Sequence, residues 1–228
     1  MGLRGTKPRQ NISTTWSSGL AYCVGLLATD GCLYNDGRHM SMTSKDLQLI
    51  ELFKSTLGLH NKIGYKRNGA GTLCSNIQFG SVVFFLWLKA IGLTPRKSLT
   101  IAKLNVPRKY FFDFIRGCFD GDGSIYSYMD RRWANSHMFY ISFASASKNF
   151  LDWLRSELSY LTGISGHIIP FNKSVYQLRF AKEESLVLIR KMYYNPRVPC
   201  LERKRDRTAK ILETHKKISE NNARARVH

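Results

Sequence analysis

The sequence predicts an α+β protein built from two pseudo-symmetric halves, each with the element order αββαββα. The first observation is an internal repeat, because YCVGLLATDGCLY (Tyr22–Tyr34) and FIRGCFDGDGSIY (Phe114–Tyr126) both hold a glycine, four residues and then Asp-Gly. The aspartates of this pattern are Asp30 and Asp122, and they lie 122 − 30 = 92 residues apart. The second observation is that the segments downstream of each motif also match in order. The third is a hydrophobic content of 43%, which is enough for a packed core.

The first element of each half is a helix that ends in the repeated motif. Helical spacing of apolar residues runs from about Ser18 to Asp30 and from about Lys109 to Asp122. Small residues form a stripe on each helix, so we expect the two helices to pack closely at a pseudo-twofold axis. These small residues are Ala21, Gly25 and Ala28 in the first helix, and Gly117 and Gly121 in the second.

Two hairpins and two further helices complete each half. The segments SKDLQLIELFKSTLG and SKNFLDWLRSELSYLTG open with Ser44 and Ser147, which we interpret as helix N-caps. A strand, a helix and a proline-containing turn then close each half, at Pro95 and at Pro196. The predicted hairpins are Cys32–Thr43 and Lys62–Phe79 in the first half, and Ser124–Ser145 and Gly166–Phe180 in the second.

These elements divide the chain into five predicted segments. They are a basic N-terminal segment (1–17), a first repeat (18–100), a linker (101–108), a second repeat (109–217) and a C-terminal tail (218–228). We expect the charged stretch after Leu201 to be helical to about Lys217 and to fray beyond it.

The charge of the chain indicates an anionic partner. Lys and Arg number 35 against 16 Asp and Glu, so the net charge is 35 − 16 = +19. Nucleic acid is the commonest partner for such an excess, and a membrane surface is the second. The longest apolar run, Val82 to Leu88, is too short to span a membrane. The five cysteines contain no C-x-x-C pair or zinc-ligand spacing, which favours a reduced intracellular setting.

The repeated aspartates are the best candidates for chemistry. An aspartate at a helix C-terminus is disfavoured, because the helix dipole is negative there, and a cation would relieve the repulsion. Two such carboxylates beside a basic surface form a candidate divalent-metal site for phosphodiester chemistry. A single Asp-Gly would be better explained as an ordinary turn with a glycine cap, but two copies with matching downstream segments favour a site.

At this level the motifs resemble a known family. CVGLLATDG (Cys23–Gly31) and IRGCFDGDG (Ile115–Gly123) are similar to the motif of LAGLIDADG homing endonucleases. The context NVPRKYFFDFIRGCFDGDGSI is similar to the second-motif region of single-chain, two-motif members, and the resemblance spans roughly Ser18 to Lys210. The first motif departs from the pattern at Ala28, where an acidic residue is often found.

The resemblance implies a fold and an activity. The two halves would form a saddle of antiparallel sheets, whose concave faces lie along the major groove of double-stranded DNA. The activity would be site-specific cleavage of one phosphodiester per strand of a long target, leaving short 3′ overhangs. The implied cofactor is Mg²⁺, with Mn²⁺ or Ca²⁺ able to substitute for binding.

The resemblance also assigns roles to residues. The implied metal ligands are Asp30, Asp122 and the backbone carbonyls of Thr29 and Gly121. By position, Lys97 and Lys204 match the basic residues that family members place near the scissile phosphates. Ser44 and Ser147 stand where the family often positions water, although their role as helix caps is sufficient to explain them.

Strand alternation predicts which side chains face the DNA. Core-facing positions are Leu33, Met40 and Met42 in the first inner hairpin, and Ile125, Phe139, Ile141 and Phe143 in the second. In the first half the predicted DNA-facing residues are Cys32, Tyr34, His39, Ser41, Thr43, Lys66, Arg67, Asn76 and Gln78. In the second half they are Ser124, Tyr126, Tyr128, Tyr140, Ser142, Lys173, Gln177 and Arg179. Because the two sets differ, the target is expected to be asymmetric.

Three hypotheses stay open on the sequence alone. The first is a monomeric, magnesium-dependent DNA endonuclease, free-standing or encoded in a mobile intron. The second is a maturase that binds intron RNA, and the third is a DNA-binding protein that does not cut. The retention of both motif aspartates argues against the third. The expected location is intracellular, in an organelle or in a prokaryotic cytoplasm.

Overall fold

The computed structural model describes residues 12–132 and 136–225, so most of the predicted N-terminal segment, the tip of the second inner hairpin and the end of the tail lie outside the described residues. The first half follows the predicted order of elements. Its helices are α1 (Ser18–Thr29), α2 (Leu47–Thr56), α3 (Val82–Ala90) and the short α4 (Lys97–Thr100). Its strands are β1 (Gly31–Leu33), β2 (His39–Ser44), β3 (Gly64–Arg67) and β4 (Leu73–Gly80).

The second half repeats this order after a short 3₁₀ turn at Arg108–Tyr110. Its helices are α5 (Phe111–Asp122), α6 (Lys148–Thr162), α7 (Lys182–Met192) and α8 (Glu202–Ala225). Its strands are β5 (Gly123–Met129), β6 (His137–Ser145), β7 (His167–Pro170) and β8 (Tyr176–Phe180). The predicted α+β class with two related halves is confirmed.

Each half contains one four-stranded antiparallel sheet. The strand orders are β1-β2-β4-β3 and β5-β6-β8-β7, so the outer hairpin of each half joins the sheet through its second strand. The predicted core-facing residues of both inner hairpins are buried, from Leu33 at 4% exposed to Phe139 at 0%. Alternation along the strands therefore sorts the two sheet faces as predicted.

The two motif helices, α1 and α5, pack directly against each other at the centre of the molecule. A Cβ on Gly25 would overlap the carbonyl oxygen of Phe114, and a Cβ on Gly117 would overlap that of Tyr22. The obstructing atoms belong to the backbone, so only glycine permits this close crossing. One hydrophobic core surrounds the crossing and draws residues from both halves.

The C-terminal helix α8 ties the halves together and is longer than predicted. Arg203 forms a two-point ion pair with Asp46, at 2.7 and 2.6 Å, which links α8 to the start of α2. The helix continues past Lys217, where the sequence predicted its end, and the i,i+4 pair Lys216–Glu220 at 3.9 Å lies across that point. Within the described residues, no helix has the length and apolar character that crossing a membrane requires.

Candidate active site

The two motif aspartates lie at equivalent helix ends. Asp30 is the C-cap residue of α1, and Asp122 is the last residue of α5. Each is followed by a glycine that begins the first strand of its half, Gly31 or Gly123. Because α1 and α5 cross at their glycines, both carboxylates emerge at the same edge of the helix pair.

Gly121 shows how close the two helix ends come. A Cβ at this position would overlap Thr29 Oγ1 and would lie 3.3 Å from Asp30 Oδ2. The residue before one aspartate is therefore in contact with the carboxylate of the other. The structure thus brings together Asp30, Asp122 and the two residues that precede them, as the repeat predicts.

Crowding of the two carboxylates changes their protonation. Burial, and then the negative charge of Asp122, raise the pKa of Asp30 to about 7, while Lys204 and Lys97 oppose the shift. Burial also raises the pKa of Asp122, again against the two lysines. Two close carboxylates disfavour each other's charged form, so the pair favours either a shared proton or a bound cation.

Lys97 and Lys204 approach this site from opposite halves of the chain, but their side chains lie on its buried side. Their side chains are buried, at 7% and 8% exposed. Lys97 Nζ donates to the carbonyl of Thr29 at 2.8 Å. Lys204 Nζ donates to the carbonyls of Gly121 at 3.0 Å and Gly123 at 2.7 Å, and also to two carbonyls earlier in α5. Burial lowers the pKa of Lys204 to about 8 and lowers that of Lys97.

These hydrogen bonds give the lysines a role that the sequence did not suggest. Each ammonium group caps the C-terminus of one motif helix, where carbonyls lack intrahelical partners. The capped carbonyls include those of Thr29 and Gly121, which the family resemblance implied as metal ligands. Lys97 is the first residue of α4. The residue before it, Arg96, is the N-cap of this helix and has a left-handed backbone conformation, with φ of +58°. No sequence signal marked these contacts, because each spans 68 or more residues.

Asp120 is a buried acid of the motif region that the sequence analysis did not single out. Its Oδ2 accepts hydrogen bonds from Tyr22 Oη at 2.8 Å and from the backbone N–H of Leu201 at 2.7 Å. Burial raises the pKa of Asp120 to about 6. Asp120 thus joins α1, α5 and the start of α8 directly behind the site. In the repeat Asp120 aligns with Ala28 rather than with Asp30, so no feature of the sequence indicated its hydrogen bonds to Tyr22 and Leu201.

The two serines before the second helices behave differently. Ser147 is the N-cap of α6, as predicted: it accepts from the Phe150 N–H at 3.4 Å and donates to the Ile101 carbonyl. The prediction for Ser44 is wrong, because α2 begins two residues later, with Asp46 as its N-cap. Ser44 ends β2 instead, and its hydroxyl accepts from the Asp46 N–H at 3.1 Å.

Most predicted DNA-facing residues lie on one face of each sheet with accessible side chains. Exposed members are Cys32, Tyr34, Lys66, Gln78, Ser124, Tyr126 and, in the β7–β8 loop, Lys173. Half-buried members are His39, Thr43, Asn76, Tyr128, Tyr140, Gln177 and Arg179. The Asn76 amide is already engaged, since its Nδ2 donates to Thr43 Oγ1 at 2.8 Å and to the Met42 carbonyl at 3.1 Å.

Three predicted contacts need correction. Ser41 and Ser142 lie on the predicted face but are 2% and 9% exposed, because neighbouring side chains such as Tyr34 cover them. Arg67 lies on the opposite face from Lys66, since successive strand residues alternate and Arg67 pairs with Leu73. His167, an exposed residue of β7 that pairs with Arg179, lies on the same face and was not predicted there.

Comparisons with known proteins identify the fold. No protein-family model matches the sequence, and no curated protein matches it. The LAGLIDADG meganuclease I-AabMI bound to uncleaved DNA is similar with a TM-score of 0.61 and 12% identity, over 88% of this chain and 91% of that one. I-DmoI in complex with DNA and Mn gives 0.51 and 17%, over 78% and 98%.

A protein with a different name shares the same architecture. Full-length DUF199/WhiA from Thermatoga maritima is similar with a TM-score of 0.56 and 15% identity, over 92% of this chain and 68% of that one. At such identities the likeness defines the fold. The chain therefore has the two-domain LAGLIDADG-like fold, and its activity must be argued from its own site.

Proposed function

We propose that this protein is a divalent-metal-dependent endonuclease that cuts both strands of a specific, asymmetric DNA duplex. One observation carries the proposal: two carboxylates, Asp30 and Asp122, emerge side by side from equivalent helix ends, between two sheets with polar outer faces. A pure binding protein gains nothing from two carboxylates at a phosphate-binding surface. A protein that must place cations against two phosphates does.

The donor set suits a hard cation. Among the described residues no group of three or more His, Cys, Asp or Glu side chains is placed to hold a metal ion, and at this site the protein would offer the carboxylates of Asp30 and Asp122. Mg²⁺ is commonly held by one or two carboxylates, with water and substrate phosphate oxygens completing its shell. Burial, and then the charge of Asp122, raise the pKa of Asp30, and a bound cation would favour the charged carboxylate against both effects. When bound, Mg²⁺ would offset the charge that builds on the phosphate during in-line attack by water.

Different residues of this chain would then have different roles in the reaction. Asp30 and Asp122 would each hold the cation near one strand. Lys97 and Lys204 would fix the two helix ends, through the Thr29 and Gly121 carbonyls, rather than touch the phosphates. The +19 net charge and exposed basic residues such as Lys66 and Lys173 would bind the DNA backbone.

Cleavage with matched variants tests the proposal. The protein would be incubated with a library of duplexes in Mg²⁺, alongside Asp30→Asn and Asp122→Asn. We expect the wild type to linearise plasmids that carry its target. Each variant should either leave the plasmid uncut or cut only one strand and produce a nicked circle. Asp152→Asn, an acid on the outer helix α6, is the control and should cut normally. Full double-strand cutting by both motif variants would disprove the catalytic assignment.

A second candidate is a DNA-binding protein of this fold that does not cut. The observation that favours it is that Lys97 and Lys204 already neutralise the helix ends and occupy the carbonyls of Thr29 and Gly121. The two candidates separate in one assay. The second predicts salt-dependent, sequence-specific binding that Mg²⁺ neither strengthens nor converts into cleavage.

A further inference from the structure

Paired residues on neighbouring strands form equivalent lines across the two sheets, and the two lines end in different side chains. In the first sheet, a line across β1, β2 and β4 runs Cys32–Ser41–Gln78. In the second, the line across β5, β6 and β8 runs Ser124–Ser142–Arg179. Since the strand orders correspond, the pseudo-twofold relates Gln78 to Arg179.

Arg179 is held in one orientation by its neighbours. Its Nη2 donates to Gln177 Oε1 at 3.1 Å, and its guanidinium carbon lies 5.8 Å from the centre of the Tyr140 ring. Tyr140 is itself stacked on Tyr128, with ring centres 6.2 Å apart and planes within 9°. A stacked pair of rings is a stiff support, so the guanidinium is pre-positioned on the accessible face of the sheet.

The guanidinium group of Arg179 has N–H donors that are available to a ligand. In the part of the chain that the structure describes, its side chain forms one hydrogen bond and no ion pair. A guanidinium has five N–H donors, and two of them in parallel match the O6 and N7 acceptors of guanine in the major groove. Gln78 is exposed at the equivalent position, and a side-chain amide matches the N6 and N7 edge of adenine.

We infer that Arg179 reads a guanine in one half-site and that Gln78 reads an adenine at the symmetry-related position of the other. Tyr140 and Gln177 act as positioning residues for Arg179. This inference rests on the proposed binding of double-stranded DNA. It predicts one position at which the two half-sites of the target differ in sequence, because the side chains that read them differ.

Selection from randomised duplexes tests the inference. The wild-type protein would be incubated with the library in EDTA, which prevents metal-dependent cutting, and the bound pool would be sequenced. We expect a guanine on one side of the target centre and an adenine at the matching distance on the other. Each base should be preferred by about 5- to 150-fold, the range of a good bidentate contact.

Swapping the two side chains separates this reading from general binding. Arg179→Gln should change the selected guanine to adenine at one position, and Gln78→Arg should change the adenine to guanine at its mate. Arg190→Gln, which removes an exposed arginine from α7, is the matched control and should leave the selected sequence unchanged. Retention of the guanine by Arg179→Gln, with the rest of the sequence intact, would overturn the inference while leaving DNA binding in place.

The positioning role has its own readout. Tyr140→Ala should reduce the ratio of guanine to adenine affinity at that position several-fold, whereas Tyr140→Phe keeps the ring and should restore the ratio. A merely structural role would lower affinity for every duplex equally and leave the ratio unchanged. If the wild type selects no sequence at all, both the proposed function and this inference fail together.

Discussion

The crossing of α1 and α5 makes a stability prediction that can be worked from atomic contacts. We predict that Gly117→Ala destabilises the protein, although alanine is the better helix former. A Cβ at this position would lie 3.0 Å from Gly25 Cα and 3.0 Å from the carbonyl carbon of Tyr22, and nearer still to the Tyr22 oxygen. None of these backbone atoms can rotate away.

The size of the effect follows from the separation that the methyl group requires. The nearest contact sets that separation, because the Cβ would overlap the Tyr22 carbonyl oxygen. Carbon and oxygen atoms approach to about 3.3–3.6 Å, so α1 and α5 must move apart by about 1 Å or more. A gap of about 0.5–1 Å already forfeits a quarter to a half of a contact's dispersion energy. Overpacking costs about 1–3 kcal/mol, and the overlap with backbone atoms places this site in the upper part of that range, at about 2–3 kcal/mol. The helix propensity of alanine returns about 1 kcal/mol. We expect a net loss of about 1–2 kcal/mol, or about 2–8 °C in unfolding temperature.

The assay is thermal and urea unfolding with a control in the same helix pair. Gly19→Ala in α1 places its Cβ 2.9 Å from only a Thr56 methyl, which can rotate, so this variant should match or exceed the wild type. Gly25→Ala should resemble Gly117→Ala. The double variant should lose less than the sum, because one separation accommodates both methyls. An unfolding temperature for Gly117→Ala at or above that of the wild type would refute the reasoning.

Three further predictions concern buried charges. Lys204→Met should lower the urea midpoint by the equivalent of about 2–4 kcal/mol, since buried carbonyls lose a charged donor, whereas the exposed Lys210→Met should not. Arg116→Met, which strands the buried carboxylate of Asp113, should cost about 3–5 kcal/mol in the same experiment. Asp30→Asn should raise the unfolding temperature more at about pH 8 than at about pH 5. The pKa of Asp30 is raised to about 7, so its contribution to stability is lost as pH rises through that value. An equal gain at both pH values would contradict this assignment.

The sequence predicted the fold because its signals are local or repeated. The Asp-Gly motifs, the helical spacing of α1 and α5 and the strand alternation around Met40 and Ile141 needed only neighbouring residues. The repeat then supplied the one long-range fact, that Asp30 and Asp122 share an interface. By contrast, Lys66 and Arg67 were both placed on the DNA-facing side, which alternation excludes for consecutive strand residues. Which of the two lies on that side depends on the register of β3 with β4, and no local pattern sets that register.

The contacts beneath the site could not be predicted for a related reason. The hydrogen bonds of Lys97 and Lys204 join residues that meet only after both halves have folded together. A lysine in TPRKS or CLERK is ordinary in composition, and its burial depends on the position of a distant helix end. The same holds for Tyr22 and Asp120, whose hydrogen bond crosses from one half to the other.

The lysines also explain how this fold tolerates two carboxylates at converging helix ends. Each end presents unpaired carbonyls and the negative pole of a dipole, to which Asp30 and Asp122 add two charges. Two buried ammonium groups offset these charges from beneath, through hydrogen bonds to the carbonyls at both helix ends. Burial, and then the charge of Asp122, still raise the pKa of Asp30 to about 7, although both lysines lower it. A cation would therefore bind best when DNA phosphates supply its remaining oxygen ligands, which couples metal binding to the duplex.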